Sequence, residues 1–73
     1  MTALYDYSKL IGRIVEKYGS REMFAAALPM SMRTLSLKLN NKRKWNQAQI
    51  DNCCKKLEIP DQEISAYFFT LKV

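Results

Sequence analysis

Positively charged side chains are concentrated in one stretch of the chain, residues 33–44. The stretch contains no Asp or Glu, and its cations are Arg33, Lys38, Lys42, Arg43 and Lys44. The whole chain of 73 residues has a net charge of +5, and its isoelectric point is near 9.4. Because a basic cluster attracts polyanions, these residues predict the binding of phosphate groups, with nucleic acid as the natural partner. For any single lysine, a solvated surface charge is the alternative interpretation.

Catalytic and metal chemistry are not indicated by the sequence. It has no histidine, no glycine-rich phosphate loop and too little chain to enclose paired carboxylates, so we expect neither an enzyme nor a bound cofactor. Cys53 and Cys54 are adjacent, and two thiols without other soft ligands cannot complete a tetrahedral zinc site, so no metal is predicted. Reduced thiols in the core are typical of a cytosolic protein. The longest apolar stretch, MFAAALPM, is interrupted by Pro29, and the sequence predicts neither a signal peptide nor a membrane span.

Helical periodicity predicts the elements that position the basic stretch. The chain is long enough for one domain, residues 1–73, and nearly half of its residues are apolar, as expected of a folded protein. A first helix is predicted over residues 7–18, where apolar side chains recur at helical spacing. Asp6 can cap the start of this helix, and Gly19 suits its end.

Two short helices are predicted on either side of a proline. Ser20 can cap a helix over residues 21–28, and Pro29 ends it because the ring removes an N–H and restricts the preceding residue. Ser31 can cap the next helix, residues 32–40, which carries the first half of the basic stretch. Two short helices joined by about three residues are typical of a helix-turn-helix, here about residues 21–40. In such a motif the first helix braces the second, whose outer face can enter the major groove of DNA.

The last third of the chain predicts two further helices. Asn46 and Gln49 form a capping-box pattern, with Trp45 and Ile50 placed as a hydrophobic staple. The buried stripe of this fourth helix is Ile50, Cys53, Cys54 and Leu57. After Pro60, the segment DQEISAYFF predicts a short last helix, and the tail TLKV is either a frayed end or a short strand. The aromatic end, Tyr67 to Phe69, is either a lid on the core or a dimer contact.

The chain resembles the lambda Cro and repressor type of helix-turn-helix domain, and within it the small Cro-like phage proteins. Three segments carry the resemblance, YDYSKL, TLSLKLNNK and YFF, and it extends from Tyr5 to Phe69. The residues that match the bipartite motif are Phe24, Ala25, Leu28, Ser31, Thr34, Leu35 and Ser36. The resemblance implies an all-α, compact five-helix lambda-repressor-like domain acting in the cytoplasm of a bacterial host cell.

The resemblance also implies which residues contact a double-stranded DNA operator. Arg33 is suited to guanine, because its planar fork matches the O6 and N7 acceptors of that base. The other candidates would hold phosphates or base edges. The full candidate set for DNA is Arg21, Ser31, Arg33, Thr34, Ser36, Lys38, Asn40, Asn41, Lys42, Arg43 and Lys44.

Several residues depart from the pattern of this family. Pro29 stands where glycine is usual at the turn, and proline is expected to avoid the left-handed conformation that glycine adopts. Arg21 stands where many relatives have glutamine. Met32 and Leu37 occupy places that base-reading polar side chains often fill, and methionine is common on surfaces that bind proteins. The candidate face for a protein partner is Pro29, Met30, Met32 and Leu37.

Two functions therefore remain open from the sequence. The first is a transcriptional regulator of the phage lysis-lysogeny switch, which binds its operator as a homodimer with half-sites roughly 34 Å apart. The second is an antirepressor, which binds a partner phage repressor through its helix-turn-helix face and modulates that repressor's DNA binding. Basic charge favours the first function, and the apolar recognition face favours the second.

Overall fold

A computed structural model of the protein describes residues 4–72. Its five α-helices are α1 (Ser8–Tyr18), α2 (Arg21–Ala27), α3 (Met32–Leu39), α4 (Gln47–Leu57) and α5 (Ile64–Phe68). A 3₁₀ turn, Asp61–Glu63, leads into α5. The expected compact, all-α, five-helix fold is confirmed. No helix within residues 4–72 is both long enough and apolar enough to cross a membrane.

Side-chain caps start α2, α3 and α4 where the sequence predicts them. The Ser20 hydroxyl accepts a hydrogen bond from the Met23 N–H at the start of α2. Asn46 and Gln49 form both bonds of the capping box that opens α4, at 2.8 and 3.1 Å. Helix α1 differs slightly, because it begins at Ser8 and Asp6 lies one residue outside the capping position. The Asp6 carboxylate still accepts from the N–H and the hydroxyl of Ser8.

Helix α2 ends one residue earlier than predicted, and its terminus corrects the expectation for proline. Pro29 has a φ of 24°, on the positive side that we expected it to avoid. The Met30 N–H donates a hydrogen bond to the Ala25 carbonyl at 3.0 Å. This bond spans six residues and is typical of a Schellman motif, in which glycine usually occupies the position that Pro29 has here. Proline has no N–H, so it cannot make the second bond of the motif.

The same closure ends α3 and α4 with both bonds present. At the end of α3, Asn41 has a φ of 62°, its N–H donates to the Lys38 carbonyl, and the Lys42 N–H donates to the Leu37 carbonyl. At the end of α4, Glu58 has a φ of 54°. Helix α3 therefore ends at Leu39 rather than Asn40, and the chain reverses sharply into the basic loop.

The core is formed mainly by one face of each helix. Helix α2 packs against both α1 and α3, and α1 also packs against α4 and α5. The fully buried side chains are Leu10, Ile14, Phe24, Leu35, Cys53, Leu57 and Phe68. Because α2 lies between α1 and α3, the position of α3 depends on its packing against α2.

The two ends of the described chain lie side by side. Tyr5 and Leu71 form an isolated antiparallel bridge. The Asp6 N–H donates to the Thr70 carbonyl at 2.7 Å, and the Lys72 N–H donates to the Leu4 carbonyl at 3.0 Å. The open question about the tail is thereby answered for residues 70–72, which extend along the N-terminal segment. Val73 lies outside the described residues.

Candidate functional site

Four of the predicted cations form an exposed basic surface on α3 and the loop after it. Arg33 is exposed near the start of α3, and Lys42, Arg43 and Lys44 are exposed in the loop. Within residues 4–72 the ion pairs are Arg13 with Glu16 and Lys17 with Glu58. The four cations therefore have no carboxylate partner in that part of the chain, and their charge is directed to solvent. Arg21 is also exposed, at the first position of α2.

Lys38 does not belong to this exposed surface, which corrects its assignment as a DNA contact. Its side chain is only 6% exposed, and its ammonium donates to the Lys44 carbonyl at 2.9 Å. The ammonium also lies 5.9 Å from the centre of the Trp45 ring, within the range of a cation–π contact. Position 38 faces inward because it lies three residues after Leu35 and next to Leu39, which are both buried. Lys38 holds the basic loop against α3.

Asn41 is likewise engaged inside the protein. Its side-chain oxygen accepts from the Tyr5 N–H and its side-chain nitrogen donates to the Tyr5 carbonyl, both at 2.9 Å. These two bonds pair the backbone N–H and carbonyl of Tyr5, so the Asn41 amide is not available to bind a phosphate. Asn40, one residue earlier, is exposed. The two asparagines therefore differ in accessibility although they are adjacent in sequence.

The predicted hydroxyl contacts are partly occupied by capping. Ser31 caps α3 by accepting from the Thr34 N–H at 3.1 Å, and its own hydroxyl pairs with that of Thr34 at 2.9 Å. Ser31 is exposed, whereas Thr34 and Ser36 are half-buried. The first turn of α3 thus presents Ser31 and Arg33 to solvent more openly than Thr34 or Ser36.

The apolar face predicted for a protein partner is only partly exposed. Pro29 is exposed, but Met30 and Met32 pack against the core with part of their surface. Leu37 is half-buried. Met30 turns inward because its N–H closes the end of α2. Of this set, Pro29 and the outer side of Leu37 are the most available.

Met23 is an exposed apolar residue that the sequence analysis did not single out. Its side chain is 62% exposed, the largest value among the exposed large apolar residues. The signal was present in the pattern of α2. Phe24 is buried, and Met23 lies one residue and about 100° away around the helix, so it points away from the core. The exposed residues of α2 and its turn include apolar side chains and charges of both signs, since Glu22 lies between Arg21 and Met23.

The aromatic residues divide between core and surface. Trp45 packs edge-on against Phe68, with ring centres 5.2 Å apart, and it lies 6.4 Å from Tyr7. Phe68 is buried, while Phe69 is 51% exposed. The aromatic end is therefore a core lid at Phe68 and an exposed side chain at Phe69. A dimer contact through the exposed Phe69 stays a prediction.

Both cysteines lie in the core, as the sequence predicts. They are free thiols, and Cys53 is fully buried. Burial raises the pKa of the Cys53 thiol to about 12, and burial also raises the pKa of Cys54. Thiols with raised pKa values in the core are unreactive, so these residues contribute packing rather than chemistry.

The elements described above define a small, all-helical protein. Its structure superposes with a TM-score of 0.80 on the solution structure of the modulator of repression (MOR) of the temperate bacteriophage TP901-1 from Lactococcus lactis. The two sequences are 48% identical, and the match covers 89% of this chain and 88% of that one. The chain belongs to the family described as "Protein of unknown function (DUF739)", which matches residues 3–71. No curated protein matches the chain.

Proposed function

We propose that this protein modulates repression by binding a phage repressor in the bacterial cytoplasm. In this proposal the protein is an antirepressor rather than an enzyme, and it alters the repressor's binding to operator DNA in the lysis-lysogeny switch. The observation that carries the proposal is the 48% identity to a modulator of repression, which extends over nearly the full length of both chains.

The α2–α3 face is the surface we assign to the repressor. It comprises the outer sides of Arg21, Met23, Pro29, Arg33 and Leu37. Interface centres are rich in methionine and arginine, and both residue types are exposed on this face, beside the acid Glu22. Met23 has the most exposed apolar side chain of the set, and its flexible thioether can adapt to a partner's surface. The pair α2–α3 acts here as a helix-turn-helix whose second helix contacts protein.

Direct binding to operator DNA through α3 is the second candidate function. The observation that favours it is the exposed, acid-free set of Arg33, Lys42, Arg43 and Lys44, which has no ion-pair partner in residues 4–72. In this alternative Arg33 reads a base and the loop residues hold phosphates. Ser31 and Asn40 add exposed polar groups at the two ends of α3. Binding as a homodimer would then set the spacing of half-sites.

The first experiment measures binding of this protein to the repressor of the same phage by calorimetry. Met23→Glu and Leu37→Glu place charge on the proposed face, and Val15→Glu is the matched control because Val15 is an exposed apolar residue on α1. We expect each of the first two substitutions to weaken binding at least about tenfold, which corresponds to about 1.4 kcal/mol. We expect Val15→Glu to leave the affinity unchanged.

The second experiment separates the two candidate functions. Operator fragments are titrated with this protein alone, with the repressor alone and with both, over a series of salt concentrations. The proposal requires that the protein change the repressor's operator affinity while binding DNA only weakly by itself. Tight binding of one fragment by the protein alone, lost in Arg33→Ala and falling steeply with salt, would instead establish the DNA-reading function. Absence of any complex with the repressor would exclude the antirepressor.

A further inference from the structure

A second surface lies beyond α3, where the basic loop meets the paired ends of the chain. A pocket of about 420 Å³ opens there, and half of its ten lining residues are aromatic: Tyr5, Tyr7, Trp45, Phe68 and Phe69. This volume lies in the usual range of ligand pockets, which are lined mainly by apolar and aromatic side chains. None of the residues in the proposed repressor face lines it.

An exposed apolar patch borders the pocket. We call it the terminal patch, and it consists of Leu4, Tyr5, Phe69 and Leu71. Leu4, Phe69 and Leu71 are 50%, 51% and 57% exposed. The bridge between Tyr5 and Leu71 and the edge-on contact of Tyr5 with Phe69, 6.0 Å between ring centres, hold these residues together. Three of the large apolar side chains left exposed by the fold are thus gathered at one place, which is typical of an interaction site.

The charge beside the pocket has one sign. Lys42, Arg43 and Lys44 line it and are exposed. Neither of the ion pairs found in residues 4–72 involves them. The loop cannot swing away freely, because Lys38 holds the Lys44 carbonyl and Asn41 holds Tyr5. A partner that fits this surface therefore carries negative charge beside an apolar group.

We propose that the pocket and the terminal patch form a docking site for an acidic peptide segment that inserts one bulky aromatic side chain. The aromatic side chain fills the pocket, neighbouring apolar groups cover Leu4 and Leu71, and carboxylates face Lys42, Arg43 and Lys44. A nucleic-acid strand fits less well, because it would leave the aliphatic part of the patch exposed. The cations also lie on one loop only, whereas grooves for single strands combine stacking rings with charge that follows the backbone.

The test uses the fluorescence of Trp45, the single tryptophan of the chain. The full-length protein is titrated with a short blocked peptide that has a central phenylalanine between aspartates and glutamates. We expect saturable binding and a shift in the emission of Trp45. A peptide with serine in place of phenylalanine, and one with lysines in place of the acids, should each bind at least about tenfold more weakly.

Two charge-reversal variants provide the matched comparison. Lys42→Glu with Arg43→Glu should weaken binding of the acidic peptide at least about tenfold, because it reverses the charge at the rim. Lys55→Glu with Lys56→Glu changes the net charge equally on exposed positions of α4 and should change the affinity less than about twofold. Circular dichroism checks that both variants are folded, and Phe69→Ser tests the patch without changing charge.

Four results of the binding experiments would overturn the proposal. They are no saturable binding up to millimolar peptide, equal binding of the lysine peptide, equal loss of affinity in both charge-reversal variants, and tighter binding of a short oligodeoxynucleotide at the same pocket. Sedimentation of the protein alone tests a second copy as occupant. Concentration-dependent dimers that Phe69→Ser abolishes would assign the patch to self-association and contradict the peptide site.

Discussion

Replacing Asn41 with alanine tests whether this residue joins two parts of the chain or faces DNA. In the structure its side chain makes two hydrogen bonds to the backbone of Tyr5, each 2.9 Å long. Asn41 also has a φ of 62°, in the left-handed region that asparagine tolerates better than alanine. The substitution therefore removes two part-buried hydrogen bonds and adds backbone strain.

The expected loss of stability is large for a domain of this size. Each part-buried hydrogen bond contributes about 1 kcal/mol net, and alanine in the left-handed conformation costs about 1 kcal/mol more than asparagine. The free energy of unfolding should then fall by about 3 kcal/mol, which lowers Tm by about 12–24 °C in a domain of 60–100 residues. The total free energy of unfolding of a small domain is only about 5 kcal/mol or slightly more, so a loss of this size is easily measured.

Urea and thermal unfolding followed by circular dichroism measure this effect. Asn40→Ala is the matched control, because Asn40 is exposed and makes no side-chain hydrogen bond within residues 4–72. We expect it to change the unfolding free energy by less than about 0.5 kcal/mol. Asn41→Gly should lose about 2 kcal/mol, since glycine tolerates the positive φ but cannot make the two bonds. If the Asn41→Ala variant is as stable as the Asn40→Ala variant, Asn41 does not join the two parts of the chain as described.

The remaining predictions concern a turn, an acid and the buried thiols. Pro29→Gly should raise the unfolding free energy by about 1 kcal/mol, because glycine supplies the N–H for the second bond of the closure at the end of α2, which outweighs the added entropy of the unfolded chain. A lower Tm would contradict the closure described for α2. Hydrogen bonds from the Ser8 side chain and backbone lower the pKa of Asp6. Since the folded pKa of Asp6 is below the unfolded value near 3.9, its contribution to the free energy of unfolding is present above about pH 4 and is lost as the pH falls through the folded pKa. Asp6→Asn should remove that part of the pH dependence of stability, and an unchanged pH profile would refute this expectation. Cys53 and Cys54 should react with a thiol reagent at pH 8 only as fast as the protein unfolds, because burial raises both pKa values; rapid labelling of the native protein would show that they are accessible.

The helices could be predicted from the sequence because their signals are local. The hydroxyl of Ser20 and the capping box of Asn46 and Gln49 act within one helical turn, so residue types at fixed spacing were sufficient to place the starts of α2 and α4. The buried stripe of α4 follows from its apolar period in the same way. The predicted ends of α2 and α3 were less accurate. Both helices end in backbone hydrogen bonds that enclose Pro29 or Asn41, and neither residue is the glycine that usually marks such an end.

The candidate surface was predicted less completely than the helices. Charge composition identified Arg33 and the basic loop correctly as exposed, because cations without nearby carboxylates are directed to solvent. It could not separate Lys38 from them, since the partners of Lys38 depend on how the loop after α3 folds back and brings the Lys44 carbonyl and Trp45 to its ammonium. It also missed Met23, whose exposure follows from which face of α2 packs against α1 and α3.

The sequence by itself determined the all-helical fold, the capped starts of the short helices and the concentration of positive charge between residues 33 and 44. These properties arise from local backbone preferences and from composition, and they do not require knowledge of distant contacts. Only the tertiary structure decided which members of that basic stretch are accessible. Lys38 and Asn41 are held by the Lys44 carbonyl and by the backbone of Tyr5. The Asn41–Tyr5 contact joins residues 36 positions apart, so it exists only after the helices have packed and brought the chain ends together.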